Sequence, residues 1–312
     1  MTAGPGNNVP SPSDQDPQAP GGGGAPGQVP SPRNRRPGRL RTALTDLRYR
    51  LAPWNPPAGS VHWFFIATFP NGGSTALAAL LASAGAGVKL SHSGEGQWLV
   101  PELTAGRHRW DPCAPVDWSR VRRIWLHAVR RQARRPCVVI EKSPPTMVRM
   151  REALHAFSDM PCRFLRFTRD PFAVCSSWAS RYDPQRLARE WDEPTSHLTA
   201  GSPAFFRALG DIYGRRAVVM HQLAEIADAS LSYEDLTAAP AAALAKIGSM
   251  EPLLADANPE TRVVVKDYAP QTLRNMNQRQ IDALSAAQIA AISEGLRPYA
   301  DAVEALGYTI RL

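Results

Sequence analysis

The chain reads as an α/β protein: a central parallel sheet flanked by helices, behind a disordered N-terminal tail. Three observations predict this. Val61–Ala67 (VHWFFIA) is a continuous apolar run of strand length that ends at Phe69-Pro70-Asn71-Gly72-Gly73, as a strand buried on both faces should. Three further runs, Cys137–Ile140 (CVVI), Arg163–Thr168 (RFLRFT) and Ala229–Tyr233 (ASLSY), alternate with segments of helical period, the pattern of parallel strands joined by crossovers. Residues 1–38 instead hold nine prolines and eight glycines with almost no large apolar side chain, so burial there cannot offset the entropy of ordering. The chain divides accordingly into a Pro/Gly-rich and basic tail, residues 1–50, and a single domain, residues 51–312.

The elements follow in order. Arg33–Arg50 is a basic bridge with a short helix expected from about Leu40. After the first strand, Ser74–Ala84 (STALAALLASA) combines helix formers with apolar spacing, and Gly85 suits its end. Val88–Leu90 is a second, short strand. Asp117–Arg134 is amphipathic, with Val121, Ile124, Trp125, Ala128 and Val129 on one face and arginines on the other. A helix is expected over Thr146–Phe157 and another from Pro171, and the chain beyond Tyr233 is mostly helical.

Composition narrows the function classes. No stretch approaches the ~18 apolar residues of a membrane-spanning helix, and no basic-then-apolar leader opens the chain, so a cytoplasmic protein is expected. The net charge is +8, but half of it comes from residues 1–50, where seven arginines face three aspartates. The body is only mildly basic, which suits a pocket for one small polyanion better than a nucleic-acid track. Cys113, Cys137, Cys162 and Cys175 form no CxxC pair and read as free thiols, and no spacing suggests a metal site.

In a parallel sheet, ligands bind where strands end and helices begin. The first such corner is Pro70-Asn71-Gly72-Gly73-Ser74-Thr75: two glycines allow close backbone approach, and amides at a helix start favour an anion. No lysine precedes Ser74, so it is not a Walker A loop. At the second corner Arg169 follows a strand, Asp170-Pro171 opens a helix, and Ser177 lies about two turns along, where its hydroxyl and the Arg169 fork can share a phosphate.

Together these corners resemble the sulfotransferases that use 3′-phosphoadenosine 5′-phosphosulfate (PAPS), in their bacterial form. Pro70–Thr75 is similar to the family's phosphosulfate loop, and Arg169 with Ser177 to its 3′-phosphate pair. Glu141-Lys142-Ser143-Pro144 resembles a segment common in bacterial members, and Ser232-Tyr233-Glu234-Asp235-Leu236 the element whose tyrosine lies near the adenine. Ala305-Leu306-Gly307-Tyr308 is similar to the family's closing residues. The resemblance runs from Val61 to Tyr308 and implies a P-loop-like fold. One departure matters: Asn71 stands where most members carry lysine or arginine.

What the resemblance implies is transfer of a sulfuryl group from PAPS to a hydroxyl of a small-molecule acceptor, with no metal required. The arginine- and alanine-rich composition, with only Lys89, Lys142, Lys246 and Lys266 as lysines, suggests a GC-rich bacterial genome and so favours a specialised metabolite as the acceptor. Asn71, Gly72, Gly73, Ser74, Thr75, Arg169, Ser177, Tyr233 and Arg274 are the expected nucleotide contacts. Lys142 and Asn71 would stabilise the departing oxygen. Glu95, in Glu95-Gly96-Gln97, is the expected general base, with His92 as alternative, and Glu141 is read as structural. Trp98 and Trp110 are candidates for the acceptor pocket. Two other classes stay open on sequence alone: a P-loop-like kinase with a degenerate loop, and a nucleotide-binding protein without catalysis. Oligomeric state is not legible.

Overall fold

The first apolar run forms the spine of the sheet. In the computed structural model, which describes residues 47, 49–51, 53–104, 109–133, 135–264 and 271–311, five strands lie parallel: β1 (Val61–Thr68), β2 (Gly87–Lys89), β3 (Cys137–Glu141), β4 (Cys162–Thr168) and β5 (Ala229–Ser232). Their order is β2-β3-β1-β4-β5, with Val61 opposite Cys137 and Thr68 opposite Phe167. Successive β1 side chains enter two cores: Trp63, Phe65 and Ala67 one, Phe64 and Ile66 the other. Both faces are apolar, which is why the run shows no polar alternation.

Helices cover both faces. They are α1 (Ser74–Leu81), α2 (Trp118–Val129), α3 (Met150–Ala156), α4 (Pro171–Ala179), α5 (Pro184–Trp191), α6 (Pro203–Gln222), α7 (Tyr233–Ala238), α8 (Pro240–Met250), α9 (Asn277–Asp282), α10 (Ala286–Leu296) and α11 (Ala300–Ala305). Leu77, Leu80 and Leu81 of α1 pack with Leu244 and Ile247 of α8 on one face. On the other, Trp125 of α2, Trp178 of α4, Tyr213 of α6 and Ile292 of α10 share the larger core. Because every strand points the same way, the segments leaving β1, β3, β4 and β5 emerge at one edge of the sheet.

Several boundaries differ from the sequence expectation, each for a local reason. The helix expected over Thr146–Phe157 begins as a 3-10 turn, Pro144–Arg149, and becomes α-helical only at Met150; Pro144 and Pro145 supply no N–H for α-type bonds. α2 ends at Val129, and Ala128 is exposed while Leu126 is buried, so the apolar stripe is rotated slightly from the one read off the sequence. Tyr233 does not close β5 but opens α7, because the Ser232 side chain accepts from Asp235 N and caps the helix (2.9 Å). At the start of the chain Leu47 and Tyr49–Leu51 are helical; the stretch read as disordered, residues 1–38, lies outside the described residues. Among the described residues no helix is long and apolar enough to cross a membrane.

Candidate active site

The loop after β1 takes its shape from two left-handed residues. Asn71 has φ 58° and Gly73 φ 92°. Asparagine is among the few side-chain-bearing residues that adopt this region readily, so backbone conformation alone gives a reason for Asn71. The Gly72 N–H turns back to the Phe69 carbonyl (2.9 Å), and a Cβ on Gly72 would lie 2.8 Å from Thr68 Oγ1. Gly73 caps α1 with no side chain. The amides of Gly73, Ser74 and Thr75 therefore open the helix without a protein acceptor among the described residues, a favourable seat for an anion.

The segment after β4 contributes a buried cation. Arg169 is 4% exposed. Its Nε donates to Asn277 Oδ1 (2.8 Å), one terminal nitrogen to the Asn71 carbonyl (2.9 Å) and the other to Gln280 Oε1 (2.6 Å). The guanidinium lies over the Tyr233 ring, 4.1 Å from its centroid. Among the described residues no carboxylate pairs with it directly. Burial draws its pKa below the ordinary value, against the opposing pull of Tyr233, Glu234, Asp170 and Tyr308. A buried cation without a counter-ion costs several kcal/mol.

Tyr233 sits between the two corners. Its hydroxyl donates to the Arg274 carbonyl (2.8 Å) and accepts from Met276 N (3.3 Å). A Cβ on Gly73 would come within 2.8 Å of its Cε2, so glycine is required where the loop crosses the ring. Asn71, Gly73, Thr75, Arg169, Ser177, Tyr233 and Arg274 line one cleft of about 870 Å³, its open mouth included. Gly72 and Ser74 complete the same loop.

The remaining expected residues meet the loop from β3. Lys142 is 1% exposed, and its Nζ donates to Thr75 Oγ1 (2.9 Å) and Glu95 Oε1 (2.7 Å). The other carboxylate oxygen of Glu95 accepts from Gln97 Nε2 (2.6 Å) and Trp98 Nε1 (2.8 Å). Burial raises the Glu95 pKa, but the Lys142 charge and these hydrogen bonds outweigh it and leave the carboxyl below its usual value. His92 is exposed and does not join this cluster. Trp98 lies beside Glu95 through its indole N–H, whereas Trp110 packs on Arg216, whose guanidinium carbon is 3.8 Å from its ring centroid.

The residues around Lys142 hold this arrangement. Glu141, fully buried, accepts at Oε1 from Gly96 N (3.2 Å), Ser143 N (2.9 Å) and Ser143 Oγ. Ser143 Oγ in turn accepts from Gln97 N (3.0 Å), and Lys142 N donates to the Gly94 carbonyl (2.8 Å). Three successive residues thus clamp the backbone of Gly94–Gln97 and the side chain of Glu95. Burial pushes the Glu141 carboxyl up to about 7.

Asn277 and Gln280 belong to the site although their spacing carries no motif, and Glu234, which lies within the Ser232–Leu236 element, joins them through Asn277. The role of Asn277 and Gln280 depends on α9 packing against α4, and only the chemistry of uncharged oxygens facing an arginine reveals it. Tyr308 returns to the same edge, its hydroxyl 3.0 Å from Glu234 Oε2 and 3.1 Å from Thr168 Oγ1.

No protein-family model matches the chain, and no curated protein matches it. Solved sulfotransferase domains are its structural neighbours. The chain is similar to the sulfotransferase domain from the curacin biosynthetic pathway, at 13% identity and a TM-score of 0.47 over 82% of this chain and 100% of that one. It is similar to sulfotransferase STF1 from Mycobacterium tuberculosis H37Rv at 13% identity and a TM-score of 0.48, over 83% and 82% of the two chains. A sulfotransferase from Alicyclobacillus acidocaldarius aligns at 14% identity and a TM-score of 0.43, over 81% and 96%.

Proposed function

We propose that the protein is a PAPS-dependent sulfotransferase acting on the hydroxyl of a small molecule, with a specialised metabolite as the favoured acceptor. The observation that carries the reading is the pairing of two anion seats in one cleft: amides at Gly73–Thr75 and, beside them, a buried arginine, which among the described residues have respectively no protein acceptor and only neutral oxygens as partners. A nucleotide with phosphate at both ends of its ribose fits that charge pattern, and its negative charge would supply a counter-ion to Arg169.

In this reading the Gly73–Thr75 amides orient the phosphosulfate, and Arg169 with Ser177 holds the 3′-phosphate. The acceptor oxygen forms a bond to sulfur as the bond from sulfur to the phosphate oxygen breaks, and the acceptor proton passes to Glu95. Lys142, one hydrogen bond from Thr75, meets the charge that builds on the departing oxygen, and Asn71 assists without a charge of its own. The ion pair couples the two events. As the Lys142 charge is drawn toward the departing oxygen, the influence that lowers the Glu95 pKa weakens, and the carboxylate becomes more basic as the proton arrives.

Thermal unfolding with adenosine 3′,5′-bisphosphate, AMP and ATP tests the reading. Ligand at a hundred times its Kd adds about 2.7 kcal/mol to stability. The bisphosphate is expected to stabilise at far lower concentration than the other two. Equal shifts from all three nucleotides would remove the argument. Transfer of labelled sulfate from PAPS to a hydroxyl acceptor then separates an enzyme from a binding protein.

A further inference from the structure

Arg169 is fixed by three oxygens, and all three are uncharged. The acid of the network, Glu234, stands one residue back. Its Oε1 accepts from Asn277 Nδ2 and from Asp170 N (3.0 Å), while Oε2 lies 3.0 Å from the Tyr308 hydroxyl. An amide has one donor end and one acceptor end, and a carboxylate only accepts. Glu234 therefore takes the Asn277 NH2 group, which leaves Oδ1 facing Arg169. Asn277 is itself buried, at 8% exposure, and its main-chain N–H is tied to Asn275 Oδ1 (2.8 Å), so the amide has little room to turn.

We propose that Asn277, oriented by Glu234, is a positioning residue that fixes the Arg169 guanidinium while leaving its positive charge unpaired for a phosphate dianion in the cleft. A carboxylate in the same place would aim the arginine equally well but neutralise it, and bound phosphate would then compete with a fixed anion. The arrangement sets an acid close enough to orient the amide and too far back to pair with the cation. This inference rests on the reading of Arg169 as a phosphate ligand.

A charge relocation tests it. The double variant N277D/E234Q keeps shape and net charge but moves the carboxylate into contact with Arg169, and N277A removes the contact without adding charge. Binding of adenosine 3′,5′-bisphosphate and of AMP to the full chain is measured by titration calorimetry. The double variant is expected to bind the bisphosphate at least tenfold more weakly than wild type and more weakly than N277A, with AMP changed less than threefold. Bisphosphate binding at the wild-type level in the double variant overturns the inference. So does a loss in N277A as large as in the double variant, or an equal loss of both ligands, since either makes Asn277 a shape contact and not a guard of charge. Failure of the wild type to prefer bisphosphate over AMP is a different result and sinks the reading of Arg169 itself.

Discussion

Glu141→Gln puts the buried clamp to a quantitative test. The native carboxyl is pushed up to about 7 by burial against an ordinary value of 4.5, so between those two pH values it holds a proton that the unfolded chain has already released. Its contribution to stability is therefore complete below about pH 4.5 and is lost as pH rises through about 7. The gap between the two values corresponds to about 3 kcal/mol. For a domain of this size that is roughly 6–12 °C in Tm. Glutamine keeps an acceptor for Gly96 N, Ser143 N and Ser143 Oγ but cannot titrate. Its amide nitrogen replaces an oxygen that is buried without a partner, which adds a pH-independent cost of about 1–3 kcal/mol. Asp170, whose pKa is also raised by burial, titrates identically in both proteins and cancels. Urea unfolding followed by tryptophan fluorescence, from pH 4.5 to 8, should show wild type ahead of the variant at acid pH, with the difference moving against wild type by about 3 kcal/mol across the range, enough to close or reverse the gap. A gap that stays constant with pH would mean that Glu141 does not bind its proton in the native state as argued.

Three further outcomes follow from the site. Gly73→Ala combines a left-handed backbone with a methyl driven onto Tyr233, while Gly59→Ala meets nothing within 4 Å at φ +70°; the first should destabilise by at least 1 kcal/mol more than the second, which bears only the backbone cost of about 1–2 kcal/mol, and equal losses in denaturation refute the steric account. Glu95→Gln should bind adenosine 3′,5′-bisphosphate within threefold of wild type yet lose turnover by ~10²–10⁴, and full turnover in that variant removes Glu95 as the base. Arg169→Ala should weaken the bisphosphate by at least tenfold, on the order of one charge-assisted hydrogen bond, while AMP changes little; parallel losses in calorimetry contradict its assignment to the 3′-phosphate.

Much of this was legible because it is local. A double-sided apolar strand must read as an unbroken run, so β1 and the corner after it are visible at Val61–Gly73. Arg169 follows its strand directly, and residues at strand ends on one edge are brought together by any parallel sheet. The exact course of the helices was less legible. Pro144 and Pro145 turned the start of one into a 3-10 segment, and a serine cap made Tyr233 the first residue of α7 instead of the last of β5. Lys142 was expected near the nucleotide, but its ion-pair partner, Glu95 and not the adjacent Glu141, is set by how Gly94–Gln97 folds over β3.

The amino-acid order alone therefore determined the layered α/β architecture and the residues at the carboxyl edge, because period, apolar runs and glycine corners act over a few residues. Tertiary structure decided what each polar group does. Arg169 faces neutral oxygens and, among the described residues, no carboxylate, because α9 arrives from more than a hundred residues away with Asn277 and Gln280, and Glu141 became a clamp with a raised pKa because the surrounding core excludes water from it. Charge state and hydrogen-bond partnership depend on which distant segments share a low-dielectric space, and no window of sequence contains that information.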